Sequence, residues 1–545
     1  MNISNKDRIV VILCVIAVLT IFLYFEIERA NDAPVADETQ FAQMTETISS
    51  TGKPICHFHG KLDVYSTHPP LYPYILTLFR WGGILSMRLF GVFLYLITTV
   101  FALYIPVLFG MRPNIYYYPI GLAFMLFVPI AISGAGLIDI DTGLLPVMLL
   151  VSVFAIIKYE LRGGWRWFIL SIIAVLLTGL TKLTTSLALI PLALVISLVM
   201  KRGFKIKPFL TVSVGLSLST IIYLILNRTY FHTGFETIIA KMMPTFSPIT
   251  ILKQITVLTL WFSPYLFIAF LFTSIIKYRE ISNPLRVNFL MGLIIFITYM
   301  FIGGTGYGFP KYHFAVLPLI MPSIALIVSK EIISIDRKTV SVVLAGGLVS
   351  LLCAIFTHDF LSLPYIANDN LVMGYRTLDE IRAGLIFQTL IMILPLLIPI
   401  YFLFVRRKRF LFSIAIVSML FLIPQAIYMS GADYQVRYNY GERGFDRVVE
   451  ITKVFHKEER SLIIPDDIAY NAGIRGDYEE TTGYLNEGGL AKKMSEVGNI
   501  YVIIRSSYVN NKPWRDEAGR VLELVGRNYG IVKVGHFMIF MPIQK

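Results

Sequence analysis

Long apolar runs, separated by shorter polar connections, fill the first 430 residues of the chain. Each run is about 15–25 residues long, the length that crosses roughly 30 Å of hydrocarbon as a helix. The pattern therefore predicts an all-α polytopic membrane body with about thirteen transmembrane helices. The predicted spans are residues 9–25, 84–109, 115–133, 143–157, 167–181, 184–200, 209–226, 255–276, 287–304, 314–329, 339–356, 385–405 and 410–428.

Basic residues mark alternate connections between these spans. Cytoplasmic loops are enriched in Lys and Arg, so these connections and the N-terminus are predicted to be cytoplasmic. An odd number of spans then places the C-terminal end outside, together with a long loop at 26–83. Glu26 and Glu28 follow the first span in place of a small-residue cleavage site, which favours a retained helix over a signal peptide. The basic clusters are Lys6 with Arg8, Arg112, Lys158 with Arg162 and Arg166, residues 201–207, Lys277 with Arg279 and Arg286, Lys330 with Arg337 and Lys338, and residues 406–409.

Composition separates the chain into two parts. The whole chain is 56% hydrophobic and 15% charged, with a mean hydropathy of +0.69, whereas soluble chains are about 45–50% apolar and roughly 25% charged. Residues 431–545 hold 16 basic and 16 acidic residues, so the first 430 residues carry the whole net charge of +13. We predict a membrane domain at 1–430 and a soluble extracytoplasmic α/β domain at 431–545. The basic residues are dispersed between apolar runs, which argues against nucleic-acid binding and for a multi-pass protein of the plasma (inner) membrane.

The C-terminal segment alternates between helical and strand-like patterns. Asp466-Asp467 follows the first predicted strand and is interpreted as a helix N-cap, with a functional site as the alternative. The predicted elements are helices at 443–457 and 515–526, strands at 462–464 and 501–504, and a strand or hairpin at 531–541.

The first external loop opens with an acidic pair, Asp37 and Glu38, and closes with His68-Pro69-Pro70 before the next span. A carboxylate that is held in position can take a proton from a reacting hydroxyl. The alternative is a solvated loop that enters the next helix through a proline-rich turn. Both interpretations remain open at this point.

A candidate metal site lies in the same loop. Three of the chain's eight histidines, His57, His59 and His68, fall within twelve residues. His57, His59 and Asp63 offer the nitrogen and oxygen ligands that suit a divalent metal ion. A His-x-His spacing is common in loops, however, so we treat the metal as an expectation and predict no other cofactor.

Further charged residues stand at the outer ends of the spans. Asp139 and Asp141 lie in the second external connection, where two carboxylates are costly unless they face water or pair with cations. Capping of a helix is the alternative for either aspartate alone. Arg88, Lys182 and Lys311 supply cations on the same side, and their alternative is snorkelling to the interface. Acids and cations gathered on one face predict a site that binds a phosphate and activates a hydroxyl.

The order and spacing of these residues resemble those of GT-C glycosyltransferases, and in particular the group of protein O-mannosyltransferases and lipid A aminoarabinose transferases. The likeness covers roughly residues 5–330 and extends to the plan of about thirteen spans with an external tail domain. Its segments are the acidic pair 37–38, His-Pro-Pro-Leu-Tyr-Pro at 68–73, Ser-Met-Arg-Leu-Phe-Gly at 86–91, the Asp-containing connection 137–142, Gly-Leu-Thr-Lys at 179–182, Pro-Lys-Tyr at 310–312 and Leu-Pro at 317–318.

The resemblance implies transfer of a sugar from a polyprenyl-phosphate carrier to an acceptor hydroxyl of a protein, a lipid or a glycan outside the membrane. It implies that Asp37 is essential, and a carboxylate there can take the acceptor's proton. A single displacement predicts inversion at the anomeric carbon. The remaining candidates are Glu38, Asp139 and Asp141 for catalysis, and His68, Arg88, Lys182, Lys311 and Tyr312 for binding the substrate, with the cations beside the leaving phosphate.

Two other functions act on lipid-linked glycans. A transporter or flippase would place ionisable residues along a path to both faces of the membrane. An O-antigen-type polymerase or ligase typically relies on external loops rich in Arg and His. The polar clusters lie on one face and include an early acidic pair, which favours the transferase.

Overall fold

The structure is a computed structural model of the chain. It describes residues 5–30, 34, 37–58, 61–65, 69–200, 206–226, 277–302, 311–331, 444–476, 478–505, 515–535 and 537–543. Four predicted spans, 255–276, 339–356, 385–405 and 410–428, lie outside these residues, as does the predicted domain boundary at residue 430.

The first apolar run forms helix α1 (Asn5–Arg29), and the loop after it is largely structured. Helix α2 (Asp37–Thr51) begins at the acidic pair. An antiparallel hairpin follows, and the short helix α3 (Leu71–Thr77) starts directly after the proline pair, where the fixed φ of proline suits a helix start. The second span is helix α4 (Gly83–Leu108). The hairpin strands are β1 (Ile55–Phe58) and β2 (Lys61–Tyr65).

The third predicted span, 115–133, is divided into two helices. Helix α5 (Tyr117–Phe127) ends before Pro129, and helix α6 (Pro129–Gly134) begins at that proline. Val128 is extended, with ψ at 131°, because the ring of a proline disfavours the helical conformation of the residue before it. The short α6 leads into the connection that carries Asp139 and Asp141.

The next spans are also helical, and proline again interrupts one of them. The predicted span 184–200 is a short helix, a 3-10 turn and a second helix, because Pro191 lacks the N–H that a continuous helix would need. The helices are α7 (Leu144–Arg162), α8 (Trp165–Thr181), α9 (Leu183–Ser186), α10 (Leu192–Val199), α11 (Ile206–Leu226), α12 (Asn283–Ile302) and α13 (Leu317–Glu331).

Five helical stretches within the described residues are long and apolar enough to cross a membrane, and several shorter apolar helices accompany them. The stretch that contains α13 is the most central, with 94% of its apolar window buried, and α13 contacts α4, α5, α7 and α12. Helices α8 and α11 approach closely through glycine: a methyl group at Gly215 would lie 2.7 Å from the side chain of Val175. Small residues permit such close contact between apolar helices.

The described C-terminal residues form a five-stranded sheet with helices. The strands are β3 (Ser461–Ile464), β4 (Glu479–Glu480), β5 (Ile500–Arg505), β6 (Tyr529–Val534) and β7 (Phe537–Pro542). Their order in the sheet is β4-β3-β5-β7-β6, parallel from β4 to β5 and antiparallel from β5 to β6. The strands predicted at 462–464 and 501–504 are present, and the segment 531–541 lies in a hairpin. The helices are α14 (Phe445–Lys457), α15 (Asp466–Asn471), α16 (Thr481–Glu487), α17 (Leu490–Val497) and α18 (Arg515–Leu522).

Candidate active site

Glu38 joins three segments of the chain at one end of the helices. Its two carboxylate oxygens accept hydrogen bonds from Arg88 of α4, from Nε at 3.1 Å and from Nη2 at 2.9 Å. Oε1 also accepts the backbone N–H of Ile138 at 3.2 Å, and Arg88 Nη1 donates to the carbonyl of Ala30 at 3.3 Å. Both side chains are buried, so the first loop, α4 and the second external connection are held by one charged pair.

Asp139 and Asp141 also pair with cations. Lys182 Nζ lies 2.7 and 2.6 Å from the two carboxylate oxygens of Asp141, and Lys311 Nζ lies 2.8 Å from Oδ2 of Asp139. Oδ1 of Asp139 accepts a hydrogen bond from the backbone N–H of Asp141 at 2.8 Å. This bond forms a turn in the connection, and each of the two carboxylates contacts a different lysine. The structure therefore brings both predicted aspartates to the predicted lysines.

The two lysines occupy positions where helices begin or end. Lys182 is extended between α8 and α9, with φ at −153° and ψ at 108°. Lys311 opens a 3-10 turn that leads into α13. They differ in access: the side chain of Lys182 is 6% exposed, whereas that of Lys311 is 24% exposed. An incoming anion therefore reaches Lys311 more readily than Lys182.

Aromatic rings complete the lysine side of the site. Lys182 Nζ lies 4.0 Å from the ring centre of Tyr312, and Lys311 Nζ lies 5.9 Å from it, both within range of cation–π attraction. Tyr312 stacks on Tyr299 of α12, with ring centres 5.4 Å apart, and the hydroxyl of Tyr299 is hydrogen-bonded to Thr185. Sequence reasoning found Tyr312 but missed Tyr299 and Thr185, because both stand inside apolar runs without a distinguishing neighbour.

Tyr72 is a further residue that the sequence did not single out. It is fully buried, and its ring meets Phe41 of α2 edge to face at 5.4 Å. A methyl group at Gly143 would lie 3.1 Å from its hydroxyl and 2.9 Å from the carbonyl of Asp139, so glycine is required for this close approach. Burial, followed by the nearby carboxylates of Asp139 and Glu38, raises the pKa of the Tyr72 phenol. The phenol therefore remains protonated at the edge of the acidic connection.

Glu26 of α1 is a buried acid beside the same connection. A methyl group at Gly136 would lie 2.7 Å from Oε2 of Glu26. In the sequence Glu26 served only to argue against a cleavage site. Its position beside the connection that carries Asp139 is decided by the packing of α1.

The structure describes the remaining candidates only in part. Asp37 is the first residue of α2, and the structure describes its backbone but not its side chain. His57 is in β1 and Asp63 is in β2, next to the paired positions Cys56 and Val64, again without described side chains.

His59 and His68 lie wholly outside the described residues. Among the residues that the structure describes, no group of three or more His, Cys, Asp or Glu side chains is arranged to hold a metal. The metal site and the contact between His68 and a phosphate stay predictions.

Buried pairing accounts for Arg88 and Lys182, which the sequence predicted to lie on the outer side, better than snorkelling does. Arg88 and Lys182 are both buried and both bonded to carboxylates, whereas a snorkelling side chain holds its charge in water. The arrangement is a set of alternating acids and cations at one end of the helices. Carboxylates in such a site can accept a proton, and a lysine can stabilise negative charge as it develops.

These observations define the class: a multi-pass membrane protein of mostly helical fold with a cluster of largely buried ion pairs at one end of the helices. Comparison with solved structures shows that the fold is similar to that of ArnT, so the predicted resemblance is confirmed for the fold.

Two ArnT structures from Cupriavidus metallidurans match, one in the apo state and one bound to undecaprenyl phosphate. Each has a TM-score of 0.59 and 13% identity, covering 97% of this chain and 98% of the ArnT chain. Comparisons with protein-family models and with curated protein sequences give no match.

A second acidic group lies in the C-terminal part. Pro465, rather than an aspartate, occupies the N-cap position of α15, so Asp466 and Asp467 are in its first turn and the N-cap interpretation is wrong. Asp467 is bonded to Arg505, and Oδ1 of Asp466 accepts the hydroxyl of Tyr478 at 2.9 Å. Burial, followed by the neighbouring Glu480, raises the pKa of Asp466 from 3.8 to about 8.

We expect this acid to make the C-terminal fold less stable as the pH rises. The pKa of Asp466 is about 8 in the folded state and lies above the ordinary 3.8. The contribution of this carboxyl group to the folding stability is therefore fully present below about pH 4 and is lost as the pH rises through 8. Because each pKa unit corresponds to about 1.4 kcal/mol, the loss should be several kcal/mol at most. Hydrogen exchange of the α15 amides, corrected for intrinsic rates, measures it. The variant Asp466→Asn should reduce the change of stability with pH, whereas Asp516→Asn, at an exposed position, should not. If stability changes with pH in Asp466→Asn as it does in the wild type, groups other than Asp466 cause the change.

Proposed function

We propose that the protein is an inverting glycosyltransferase that moves a sugar from a polyprenyl-phosphate carrier to an acceptor hydroxyl on the outer face of the membrane. The observation that carries the proposal is the set of paired acids and cations, Glu38 with Arg88, Asp141 with Lys182 and Asp139 with Lys311. The fold shared with an ArnT structure bound to undecaprenyl phosphate supports a lipid-phosphate donor.

The proposed roles follow from position and access. Asp37, at the first position of α2, takes the proton of the acceptor hydroxyl as that oxygen attacks the anomeric carbon. Lys311, the more exposed lysine, stabilises the negative charge that returns to the leaving phosphate, together with His68. Asp139 and Asp141 orient the lysines and the substrates, and Glu38 with Arg88 holds the start of α2 against the second connection. The acceptor is a protein, a lipid or a cell-surface glycan.

The topology belongs to the same proposal. The protein is placed in the plasma (inner) membrane with a cytoplasmic N-terminus, and residues 431–545 form an extracytoplasmic domain. All the paired side chains lie at helix ends that the charge pattern assigns to the outer side. A donor presented on that side therefore meets the site without crossing the bilayer.

The first test is transfer of labelled sugar from a panel of polyprenyl-phosphate sugars by purified protein in nanodiscs. The wild type should turn over one donor, and Asp37→Asn should lower kcat by about 100-fold while donor binding is retained, because the amide cannot take a proton. Asp446→Asn, in helix α14, is the matched control and should be fully active.

Other outcomes of this test separate the alternatives. If the wild type moves the lipid across a bilayer and transfers no sugar, the flippase hypothesis replaces the transferase. If the wild type joins whole lipid-linked glycans, the polymerase or ligase hypothesis replaces the transferase. Equal sugar transfer by wild type and Asp37→Asn moves the base to Glu38, Asp139 or Asp141.

A further inference from the structure

Helix α2 carries the acidic pair and lies between the membrane body and the C-terminal fold. Its inner face contacts the body through Glu38 and through Thr45, whose hydroxyl lies 3.8 Å from the sulfur of Met87. Phe41 of the same face packs on Tyr72. A 15-residue helix is marginally stable by itself in water, so its place depends on contacts with its surroundings.

A second face of α2, about 100° around the helix from Thr45, is bonded to the C-terminal fold through Glu46. Oε2 of Glu46 accepts Arg475 Nε at 2.6 Å, and Oε1 accepts both Arg475 Nη2 at 3.3 Å and the hydroxyl of Tyr470 at 3.2 Å. The guanidinium group of Arg475 also lies over the ring of Tyr470, at 4.1 Å from its centre. Arg475 and Glu46 thus form a bidentate contact, with Tyr470 bonded to the same carboxylate. Such a contact is more specific than a simple surface ion pair.

Further contacts extend this interface along α2. Asn471 donates to the carbonyl of Pro34 at 3.3 Å, just before the helix, and Tyr478 is hydrogen-bonded to Gln43. Gln43 and Glu46 are three positions apart and therefore share one face of the helix. The C-terminal fold holds α2 from the segment before its start to its third turn.

We propose that Tyr470 and Arg475 are positioning residues for the sugar transfer: by binding Glu46 they hold α2 so that its first turn presents the acidic pair to the site. The inference rests on the proposed function. A helix moves as a rigid rod, so a change at Glu46 displaces the carboxylates at the other end. Displacement of a reacting group by about 1 Å can cost about 100-fold in rate. The C-terminal fold would in this way be part of the catalytic apparatus without touching the substrate.

The experiment reverses the charges of the contact. Glu46→Arg, which faces Arg475 with a like charge, should lower kcat by about 10-fold or more while the KM for the donor stays within about twofold. Arg475→Glu alone should behave in the same way. The double variant with both substitutions should recover kcat to within about threefold of wild type, since the ion pair is restored in reverse.

Glu450→Arg is the matched control. It breaks the ion pair between Glu450 and Lys453, which lies within α14 of the same fold, and should leave kcat unchanged. The proposal is overturned if Glu46→Arg retains full kcat, or if the double variant fails to recover it.

A second measurement separates this proposal from the proposed function. Hydrogen exchange of the α2 amides should quicken in Glu46→Arg and return to wild-type rates in the double variant. If the wild type transfers sugar from no donor, the proposed function fails while the exchange result still decides whether Tyr470 and Arg475 hold α2. If exchange in α2 is the same in all variants, they do not hold the helix, whatever the activity.

Discussion

Arg88→Met is expected to destabilise the folded protein by about 3–5 kcal/mol, because it leaves the carboxylate of Glu38 buried without its cation. Arg88 supplies two of the hydrogen bonds to that carboxylate and one to the carbonyl of Ala30. Sugar transfer should fall by about 1,000-fold, because the start of α2 loses its attachment to α4. Thermal unfolding in detergent micelles and initial rates of transfer measure the two effects.

The double variant Glu38→Gln with Arg88→Met separates stability from chemistry. Removing both charges should restore most of the stability, since a neutral buried pair carries little desolvation cost. Transfer should remain lost if the charged pair serves the reaction. Lys158→Met is the control for loss of a buried lysine elsewhere: Lys158 is bonded to the carbonyl of Leu108, and its loss should affect stability alone. A fully active double variant would show that Arg88 and Glu38 are needed only for folding.

Lys311→Met is expected to lower kcat/KM for the donor by about 100–1,000-fold, the size of the effect when one charge-stabilising donor is removed from a transition state. Its side chain is 24% exposed and contacts Asp139 at one oxygen, so we expect a smaller loss of stability than for a buried lysine. Lys311→Arg keeps the charge and should retain more activity. Initial rates over a range of donor concentrations measure the effect.

Lys182→Met is the companion variant and should behave differently. Lys182 is buried, contacts both oxygens of Asp141 and lies over Tyr312, so its removal should cost about 3–5 kcal/mol. Its effect on activity should follow from unfolding and from misplacement of Tyr312. The assignment of the phosphate to Lys311 is wrong if Lys311→Met keeps wild-type kcat/KM while a stably folded Lys182→Met loses it.

The sequence predicted the helices well where an uninterrupted apolar run determined them. The runs at 84–109 and 209–226 are continuous helices, because length and hydropathy depend on local residues alone. The runs at 115–133 and 184–200 are broken at prolines. Pro129 and Pro191 were visible in the sequence, but apolar content outweighed them in the prediction.

The sequence predicted which residues belong to the candidate site, but it did not predict which acid forms an ion pair with which cation. Charged residues in an apolar chain stand out because burying them is costly, which is why Glu38, Asp139, Asp141, Lys182 and Lys311 could be found by inspection. Tyr299 could not be found in this way, since a tyrosine in an apolar run is ordinary. Tyr72 lies in the His-Pro-Pro-Leu-Tyr-Pro segment of the first loop, where nothing in the sequence shows that it is buried. Arg88 was expected beside a phosphate, and in the structure its partner is Glu38.

The sequence alone determined which parts of the chain are apolar, which carry charge, and on which side of the membrane the charged connections are expected. These properties follow from the local content of each segment. Only the tertiary structure decided that Glu38 meets Arg88, fifty positions away, that Asp139 meets Lys311, and that Arg475 of the C-terminal fold reaches Glu46 of α2. Such pairings depend on how distant helices pack, and many pairings of acids with cations satisfy the same sequence equally well.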